Sequence, residues 1–187
     1  MTLSLARATL RPRRRASDIV DLASIDELVK LKNRRGFNED FARLFAQATV
    51  TTAPLALVRI DVDHFKRVND EHGGHAVGDE ALIAIADVLR TCVHGKGDAY
   101  RVGGDEFVLL LPNHITLEAA AVSERVRESV HARPITSRAL TVTVSVGVAV
   151  YPEHAGDPAA LEIAADTAAY DAKKRGRNRV RVSGQRN

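Results

Sequence analysis

The stretch "RVGGDEFVLLLP", Arg101 to Pro112, places two glycines and two adjacent acids between a short apolar segment and a strongly apolar one. A glycine pair followed by an acid is typical of the tip of a β-hairpin, so we expect two antiparallel strands that meet at Gly103 and Gly104. Asp105 and Glu106 would then stand side by side at the tip. An ordinary solvent-exposed turn is one explanation of this tip, and a cation-binding site is the other.

The segments around the hairpin predict an α+β fold. "PLALVRIDVD" (Pro54–Asp63) is a nearly continuous apolar run that ends in acids, as expected for a central strand. After it come a Gly-rich loop and a helix from about Gly78 to Val93. The hairpin, a helix over about Thr116–His131 and the strand "LTVTVSVGVAVYP" follow. This order of strand, helices, two strands, helix and strand is that of the ferredoxin-like split βαβ fold.

Further helical patterns flank this unit. Residues 24–48 carry apolar residues close to a helical stripe with an interruption near 33–36, which predicts two short helices. The segments "DPAALEIAADTAAYDAKKR" and "NRVRV" predict a helix and a short strand appended at the C-terminal side. We therefore expect a central, mainly antiparallel sheet flanked by helices, in one domain over residues 25–183, followed by a tail at 184–187.

Length and composition fit one compact domain. The chain has 187 residues, of which 45% are hydrophobic. Its single cysteine, Cys92, has no partner for an internal disulfide, and no apolar run approaches the roughly 20 residues that span a bilayer. We therefore expect a cytoplasmic protein without a transmembrane segment.

Residues 1–24 form a basic N-terminal arm. The first fifteen residues hold five arginines and no acid, so the net charge of +3 for the whole chain leaves −2 for the remainder. This composition favours a solvated, flexible arm, and contact with nucleic acid, an acidic lipid surface or a partner is the alternative. No aromatic residues interleave the later basic run "KKRGRNRVR", so we do not expect a nucleic-acid partner.

The predicted strand order explains why acidic residues stand at the hairpin tip. The first central strand and the hairpin are neighbours in this fold, so Asp61 and Asp63 would face Asp105 and Glu106. Four carboxylates placed together are costly unless a cation neutralises them, and Mg²⁺ prefers hard oxygen ligands. For Asp63 the alternative is a strand-end carboxylate that serves the adjacent turn.

Four segments in order resemble the GGDEF family of diguanylate cyclase domains, over about residues 25–182. Gly103–Phe107 is the family signature. "DELVKLKNRRGF" (Asp26–Phe37) is similar to D-x-L-T-G-L-x-N-R-R, "DVDHFKRVND" (Asp61–Asp70) is similar to D-x-D-x-F-K-x-x-N-D, and "ADTAAYDAKKRGRNRV" (Ala165–Val180) is similar to the closing segment. The resemblance implies a polymerase-palm-like fold that condenses two GTP into cyclic di-GMP and releases two pyrophosphates. It also implies two Mg²⁺ ions per active site, with Mn²⁺ as a substitute, and a transient homodimer of facing subunits.

The resemblance also implies roles for single residues. The metal ligands would be Asp61, the carbonyl of Val62, Asp105 and Glu106. The catalytic residues would be Asp105 as candidate general base, Glu106 and Lys66. Guanine would be bound by Asn69 and Asp79, and the triphosphate by His64, Phe65, Lys66, Lys173 and Arg177. For Asp79 the alternative is a helix N-cap, because it follows Gly78 at the expected helix start.

The sequence departs from the family pattern in two of these segments. Val29 and Lys30 stand where the opening motif has Thr-Gly, which puts the local turn near the nucleotide in question. One glycine, Gly73 or Gly74, is additional to the spacing between the two guanine-binding positions. We therefore expect the same fold with a reshaped guanine pocket.

A third departure concerns regulation. Many relatives carry an R-x-x-D motif before the signature that binds cyclic di-GMP and restrains activity, and His94 and Gly97 stand at its positions here. We therefore expect no product inhibition of this type. Because the arm before residue 25 is short, we expect no sensor domain, and we expect regulation to come from a protein partner, from expression level or not at all. The alternatives to an active cyclase are a weak or silent domain that binds GTP or docks a protein, and a nucleic-acid-binding module.

Overall fold

The computed structural model describes residues 24–72, 74–134 and 139–185. The predictions for the arm, for Gly73 and for the end of the tail lie outside these residues. The strands are β1 (Lys32–Asn33), β2 (Leu55–Val62), β3 (Asp98–Arg101), β4 (Glu106–Pro112), β5 (Val144–Tyr151) and β6 (Arg179–Val182). The helices are α1 (Arg34–Thr51), α2 (Phe65–His72), α3 (His75–Val93), α4 (Thr116–His131) and α5 (Pro158–Lys174).

The strands form one sheet in the order β1-β3-β4-β2-β5-β6. β2 pairs antiparallel with β4 and with β5, and β3 pairs antiparallel with β4. The predicted split βαβ order is therefore confirmed, and so is the appended strand, because β6 pairs parallel with β5. The edge strand β1, which pairs parallel with β3, is too short to give a sequence pattern. None of the helices within the described ranges has the length and apolar content to cross a bilayer.

The N-terminal region contains one helix where the sequence predicted two. The Asp26 carboxylate accepts hydrogen bonds from the backbone N–H groups of Leu28 and Val29 at 3.0 and 2.9 Å, and Lys30 adopts a φ of 55°. These local bonds compete with a helix and close a turn instead. Asn33 then caps α1, since its side chain accepts two backbone N–H groups of the first helical turn.

The two faces of the sheet have different partners. We call one the aliphatic face, where even-numbered residues of β2 pack with an almost entirely aliphatic cluster that includes Leu82, Leu89, Val126 and Val130 of α3 and α4. We call the other the mixed face, where odd-numbered residues of β2 meet α1 and α5. Its buried residues include Phe37, Phe41, Phe45, Tyr100 and Leu161. Each large apolar side chain buried in this way stabilises the fold by about 1.5–3 kcal/mol.

On the mixed face, α5 lies very close to the sheet at Gly147. A Cβ at this position would lie 2.2 Å from the carbonyl oxygen of Ala165 and 2.2 Å from the backbone nitrogen of Ala169. The helix contacts the sheet through alanines, so neither partner has a side chain that keeps the two backbones apart. The polar side chains of α5 can therefore reach β2.

Candidate active site

The acid at the end of β2 and the acids of the hairpin meet at one edge of the sheet. The antiparallel register places Asp61 opposite Glu106, and the Val62 N–H donates to the carbonyl oxygen of Asp105 at 3.2 Å. The prediction that Asp61 faces the hairpin tip is therefore confirmed. This geometry follows from the pairing of β2 with β4.

Two arginines hold the hairpin tip in place. Arg101 donates from Nη2 to the Gly104 carbonyl oxygen at 2.7 Å and from Nη1 to the carboxylate that closes the N-terminal turn at 3.2 Å. Arg34 donates from Nε to the Val102 carbonyl oxygen at 2.8 Å, and its Nη2 lies 3.8 Å from Glu106 Oε2. Neither role was predicted, because the bonds from Arg34 to Val102 and from Arg101 to Asp26 join segments that are far apart along the chain.

Asp61 is an acid of this site whose pKa is shifted from its ordinary value. Burial raises the pKa of its carboxyl above the ordinary value; Lys173, whose Nζ lies 2.7 Å from Asp61 Oδ2, lowers it, and the negative charges of Asp105 and Glu106 raise it. Burial is the largest of these causes, so the pKa stays raised mainly because the carboxyl is removed from water. Carboxylate oxygens are ligands that Mg²⁺ prefers, so the donor types of Asp61, Asp105 and Glu106 fit the ion that the family resemblance implies.

Asp63 does not join the other three acids. It is only 5% exposed. Its Oδ1 accepts from the Ser145 hydroxyl at 2.7 Å, and its Oδ2 accepts from the Thr143 hydroxyl at 2.6 Å and the Asn178 N–H at 3.0 Å. The expectation of four converging carboxylates is therefore wrong, because Asp63 is buried and bonds to two hydroxyls and to one backbone N–H of the turn before β6. Among the residues that the structure describes, no three His, Cys, Asp or Glu side chains gather closely enough to hold a metal ion.

A cleft of about 210 Å³ lies on the mixed face beside Asp61. Its lining includes Arg59, Asp61, Glu106, Asp166, Tyr170 and Lys173. Arg59 forms an ion pair with Asp166, with Nη2 donating to Oδ2 at 3.3 Å and a second contact between Nε and Oδ1. None of the residues Arg59, Asp166 and Tyr170 was predicted, although the lone arginine inside the apolar strand "LALVRIDV" is a signal for Arg59.

The predicted guanine-binding residues lie on α2 and α3. Asn69 Oδ1 is buried and has no hydrogen-bond partner among the described residues. A Cβ on Gly78 would lie 2.0 Å from this oxygen, so the glycine lets α3 close on Asn69. Asp79 is exposed inside α3, which begins at His75 after the cap residue Gly74. The N-cap alternative for Asp79 is therefore wrong.

The remaining predicted nucleotide-binding residues flank the acids. His64, with a φ of 56°, and Phe65 join β2 to α2, and Lys66 is exposed in the first turn of α2. Arg177, with a φ of 62°, lies in the turn between α5 and β6. The structure brings Lys173 into direct contact with Asp61, and it places the other four around the start of α2 and in the turn before β6, next to the end of β2.

An acidic strand end, an acidic hairpin tip and a lysine on the adjoining helix define a class of domains suited to binding phosphate groups through cations. The family model described as "Diguanylate cyclase, GGDEF domain" matches residues 23–179 of this chain. The chain therefore belongs to the GGDEF family. This membership confirms the resemblance that its four sequence segments indicated.

Individual relatives agree with this assignment. The chain is 37% identical over 161 residues to diguanylate cyclase DosC of Shigella sonnei, covering 84% of this chain and 35% of DosC. The structure of the coiled coil and GGDEF domain of DgcB from Caulobacter crescentus in complex with c-di-GMP matches with a TM-score of 0.83 and 30% identity, covering 89% of each chain. Diguanylate cyclase SiaD from Pseudomonas aeruginosa, in complex with its activator SiaC, matches with a TM-score of 0.80 and 34% identity, covering 89% of this chain and 65% of SiaD. The chain spans less than half the length of the curated relatives that it matches.

Proposed function

We propose that this chain is a diguanylate cyclase, which condenses two GTP into cyclic di-GMP and releases two pyrophosphates. The observation that carries the proposal is the meeting of Asp61, Glu106 and Lys173 at one edge of the sheet, with the lysine 2.7 Å from Asp61. Carboxylates at this edge can bind cations, and the lysine can bind a phosphate group. Membership of the GGDEF family and the activity named for DosC support the same reaction.

Asp61, Asp105, Glu106 and the Val62 carbonyl would hold two Mg²⁺ ions, or Mn²⁺ in their place, which when bound offset the negative charge that develops on the reacting phosphate and the leaving pyrophosphate. The register that places Asp61 opposite Glu106 supports this assignment, because a cation between neighbouring carboxylates would offset their repulsion.

Lys173, which lines the cleft, and residues around the start of α2 and in the turn before β6 would position the triphosphate. Lys66, Lys173 and Arg177 supply positive charge, and the backbone N–H groups of His64 and Phe65 donate to phosphate oxygens. Alignment is the main requirement of phosphoryl transfer, so these contacts account for most of what the protein must contribute. Asp105 would accept the proton of the attacking 3′-hydroxyl.

Guanine would bind between α2 and α3. Asn69 Oδ1 and the Asp79 carboxylate are acceptors, and guanine presents N–H donors at N1 and N2 that adenine does not. The buried Asn69 Oδ1 supports this role, since a buried acceptor without a partner is costly until a donor reaches it. The position of Asp79 inside α3 supports it too, because no helix end there needs the carboxylate.

Two subunits must face each other, because each GTP supplies a hydroxyl that attacks the α-phosphate of the other. We therefore include a transient homodimer in the proposal. We also include the absence of R-x-x-D-type product inhibition, since His94 replaces the arginine, and a Cβ at Gly97 would lie 2.0 Å from the Leu110 carbonyl oxygen. A regulatory protein partner is the remaining element, and the complex of SiaD with its activator SiaC supports it.

Incubation of the purified protein with GTP and Mg²⁺, followed by chromatography, tests the proposal. We expect cyclic di-GMP and pyrophosphate, little product from ATP, and a specific activity that rises with protein concentration as dimers form. Added cyclic di-GMP should not slow pyrophosphate release. Asp105→Ala should remove activity while the fold is kept, and equal turnover by this variant would contradict the proposal. Tight GTP binding without turnover by the wild type would instead support a silent GTP-binding module.

A further inference from the structure

Three alternate residues at the end of β2 contact the C-terminal part of the domain. These residues are Arg59, Asp61 and Asp63. The groups that they contact are the Asp166 side chain, the Lys173 side chain and the Asn178 backbone N–H. The first two pairs line the cleft, whereas the third holds the turn between α5 and β6.

This turn has a backbone that favours glycine, yet it contains Arg177 and Asn178. Their φ values are 62° and 42°, both in the left-handed region. That region costs a residue such as arginine about 1–2 kcal/mol and an asparagine less, so contacts from elsewhere in the domain help the backbone bond from the Arg177 N–H to the Ala172 carbonyl oxygen to hold the turn. Two such contacts are present: the Asn178 N–H donates to Asp63 Oδ2 at 3.0 Å, and Arg127 Nη1 donates to Asn178 Oδ1 at 3.1 Å.

Asp63 is itself fixed from the other side. The hydroxyls of Thr143 and Ser145 donate to its two carboxylate oxygens at 2.6 and 2.7 Å, and its backbone N–H donates to the Thr143 carbonyl oxygen at 2.9 Å. A buried carboxylate with three donors has little freedom to move, and hydrogen bonds to a charged acceptor are stronger than neutral ones. The carboxylate therefore joins β2, β5 and the turn at one point.

We propose that Asp63 is a positioning residue, which fixes the turn and so sets the place of Arg177 beside the metal-binding end of β2. The inference rests on the proposed function, because only that function makes Arg177 a triphosphate ligand. Both carboxylate oxygens of Asp63 are already bonded to the Thr143 and Ser145 hydroxyls and the Asn178 N–H, so Asp63 is not one of the proposed metal or nucleotide ligands. Asp63 lies two residues after Asp61 in the chain and acts through the backbone of the turn.

Steady-state kinetics with GTP separate positioning from general stability. Asp63→Asn keeps the shape of the side chain but removes its charge, so the turn loosens. A triphosphate contact made equally in the ground and transition states then weakens, and KM should rise about tenfold while kcat stays within about twofold. Asp87→Asn, an exposed aspartate on α3 outside the site, is the matched control and should change neither constant.

A double-mutant cycle shows whether Asp63 acts through Arg177. Once Arg177→Ala has removed the side chain, adding Asp63→Asn should change KM by less than about twofold. Thr143→Val, which removes one donor to Asp63, should give a smaller rise in KM, and Thr143→Ser, which keeps the hydroxyl, should restore the wild-type value. An equal effect of Asp63→Asn with and without Arg177 overturns the inference, and so does an equal effect of the two Thr143 variants.

Amide hydrogen exchange tests the same inference without nucleotide. Asp63→Asn should speed exchange at the Asn178 amide by at least about tenfold, because that amide loses its charged acceptor, while the Asp87→Asn control leaves it unchanged. Unchanged exchange at Asn178 overturns the positioning role alone. A wild-type protein that binds no GTP overturns the proposed function, and the exchange data still decide whether Asp63 holds the turn.

Discussion

The two faces of the sheet show how this domain separates stability from chemistry. The aliphatic face is packed almost wholly by Val, Leu, Ile and Ala of α3 and α4. The mixed face combines aromatic residues of α1 with charged pairs along β2, where Arg59 meets Asp166 and Asp61 meets Lys173. Because one face supplies a large apolar core, the other can carry half-buried charges without loss of the fold.

The largest expected effect comes from breaking the charged pair of the mixed face. Lys173→Met removes the cation beside Asp61, and we expect kcat/KM for GTP to fall by at least about 100-fold, as when one preorganised charge donor is lost. Lys174→Met is the matched control, since Lys174 lies over the exposed ring of Tyr170 rather than beside the acids. Equal losses from the two neighbouring lysines would show that general charge, and not the pair, determines activity.

A smaller effect comes from forcing α5 away from the mixed face. Gly147→Ala introduces a Cβ that would lie 2.2 Å from the α5 backbone, and we expect a loss of about 2 kcal/mol in the free energy of unfolding. Gly156→Ala has no atom within 4 Å of the new Cβ and should change stability by less than about 0.5 kcal/mol. Chemical denaturation measures both. Similar values would mean that α5 does not pack as tightly as the structure indicates.

The polar cluster at the outer part of the mixed face predicts a pH dependence. Burial acts to raise the pKa of Asp40, but hydrogen bonds from Lys32, Arg43 and Tyr100 outweigh it and hold the pKa below the ordinary value of 3.8. A lowered pKa in the folded state means that the stabilisation is complete above pH 3.8 and is lost as the pH falls through the folded pKa. Asp40→Asn should lower the free energy of unfolding by about 1 kcal/mol at pH 7 and should weaken the decrease of that free energy at acid pH. Glu39→Gln should leave this decrease unchanged.

The smallest expected effect concerns the turn before β1. Lys30 has a φ of 55° where the family pattern has glycine, so Lys30→Gly should raise the free energy of unfolding by about 0.5–1 kcal/mol. Lys30→Ala keeps a Cβ and should bring no such gain. Differential scanning calorimetry of the wild type and the two variants measures the difference in stability. Equal stability of the Gly and Ala variants would show that the turn is not strained.

The sequence predicted the parts of the fold that depend on periodic patterns. The helix expected at Thr116–His131 has those bounds in the structure, and the order of the central strands is confirmed. The helix expected near Asp26 fails, because an aspartate that accepts neighbouring N–H groups closes a turn with helix-like spacing of apolar residues. Periodicity records which face is apolar, and it does not record where a side chain bonds to its own backbone.

The candidate site likewise has parts that the sequence predicted and parts that it did not. The sequence motifs placed Asp61 opposite the hairpin acids, because that depends only on which strands are neighbours. They did not predict the burial of Asp63, whose partners Thr143 and Ser145 are 80 and 82 positions away. They also missed the pair between Arg59 and Asp166, which needs the close approach of α5. A single sequence can mark one such residue, as the arginine within the apolar strand marks Arg59, but it does not identify the partner, because the distance between backbones is set by the tertiary fold.

The attachment of the C-terminal turn to β2 has a consequence for synthesis of the protein. Arg59 and Asp166 are 107 positions apart, and Asp63 and Asn178 are 115 positions apart. A chain leaves the ribosome from its N-terminus, and contacts between distant residues form late. When the chain has been synthesised only to about residue 165, the hairpin acids can already lie beside Asp61. Lys173 and the turn that contains Arg177 have not yet been made. The contacts of Lys173 with Asp61 and of Asn178 with Asp63 can therefore form only after residues 166–178 have been synthesised.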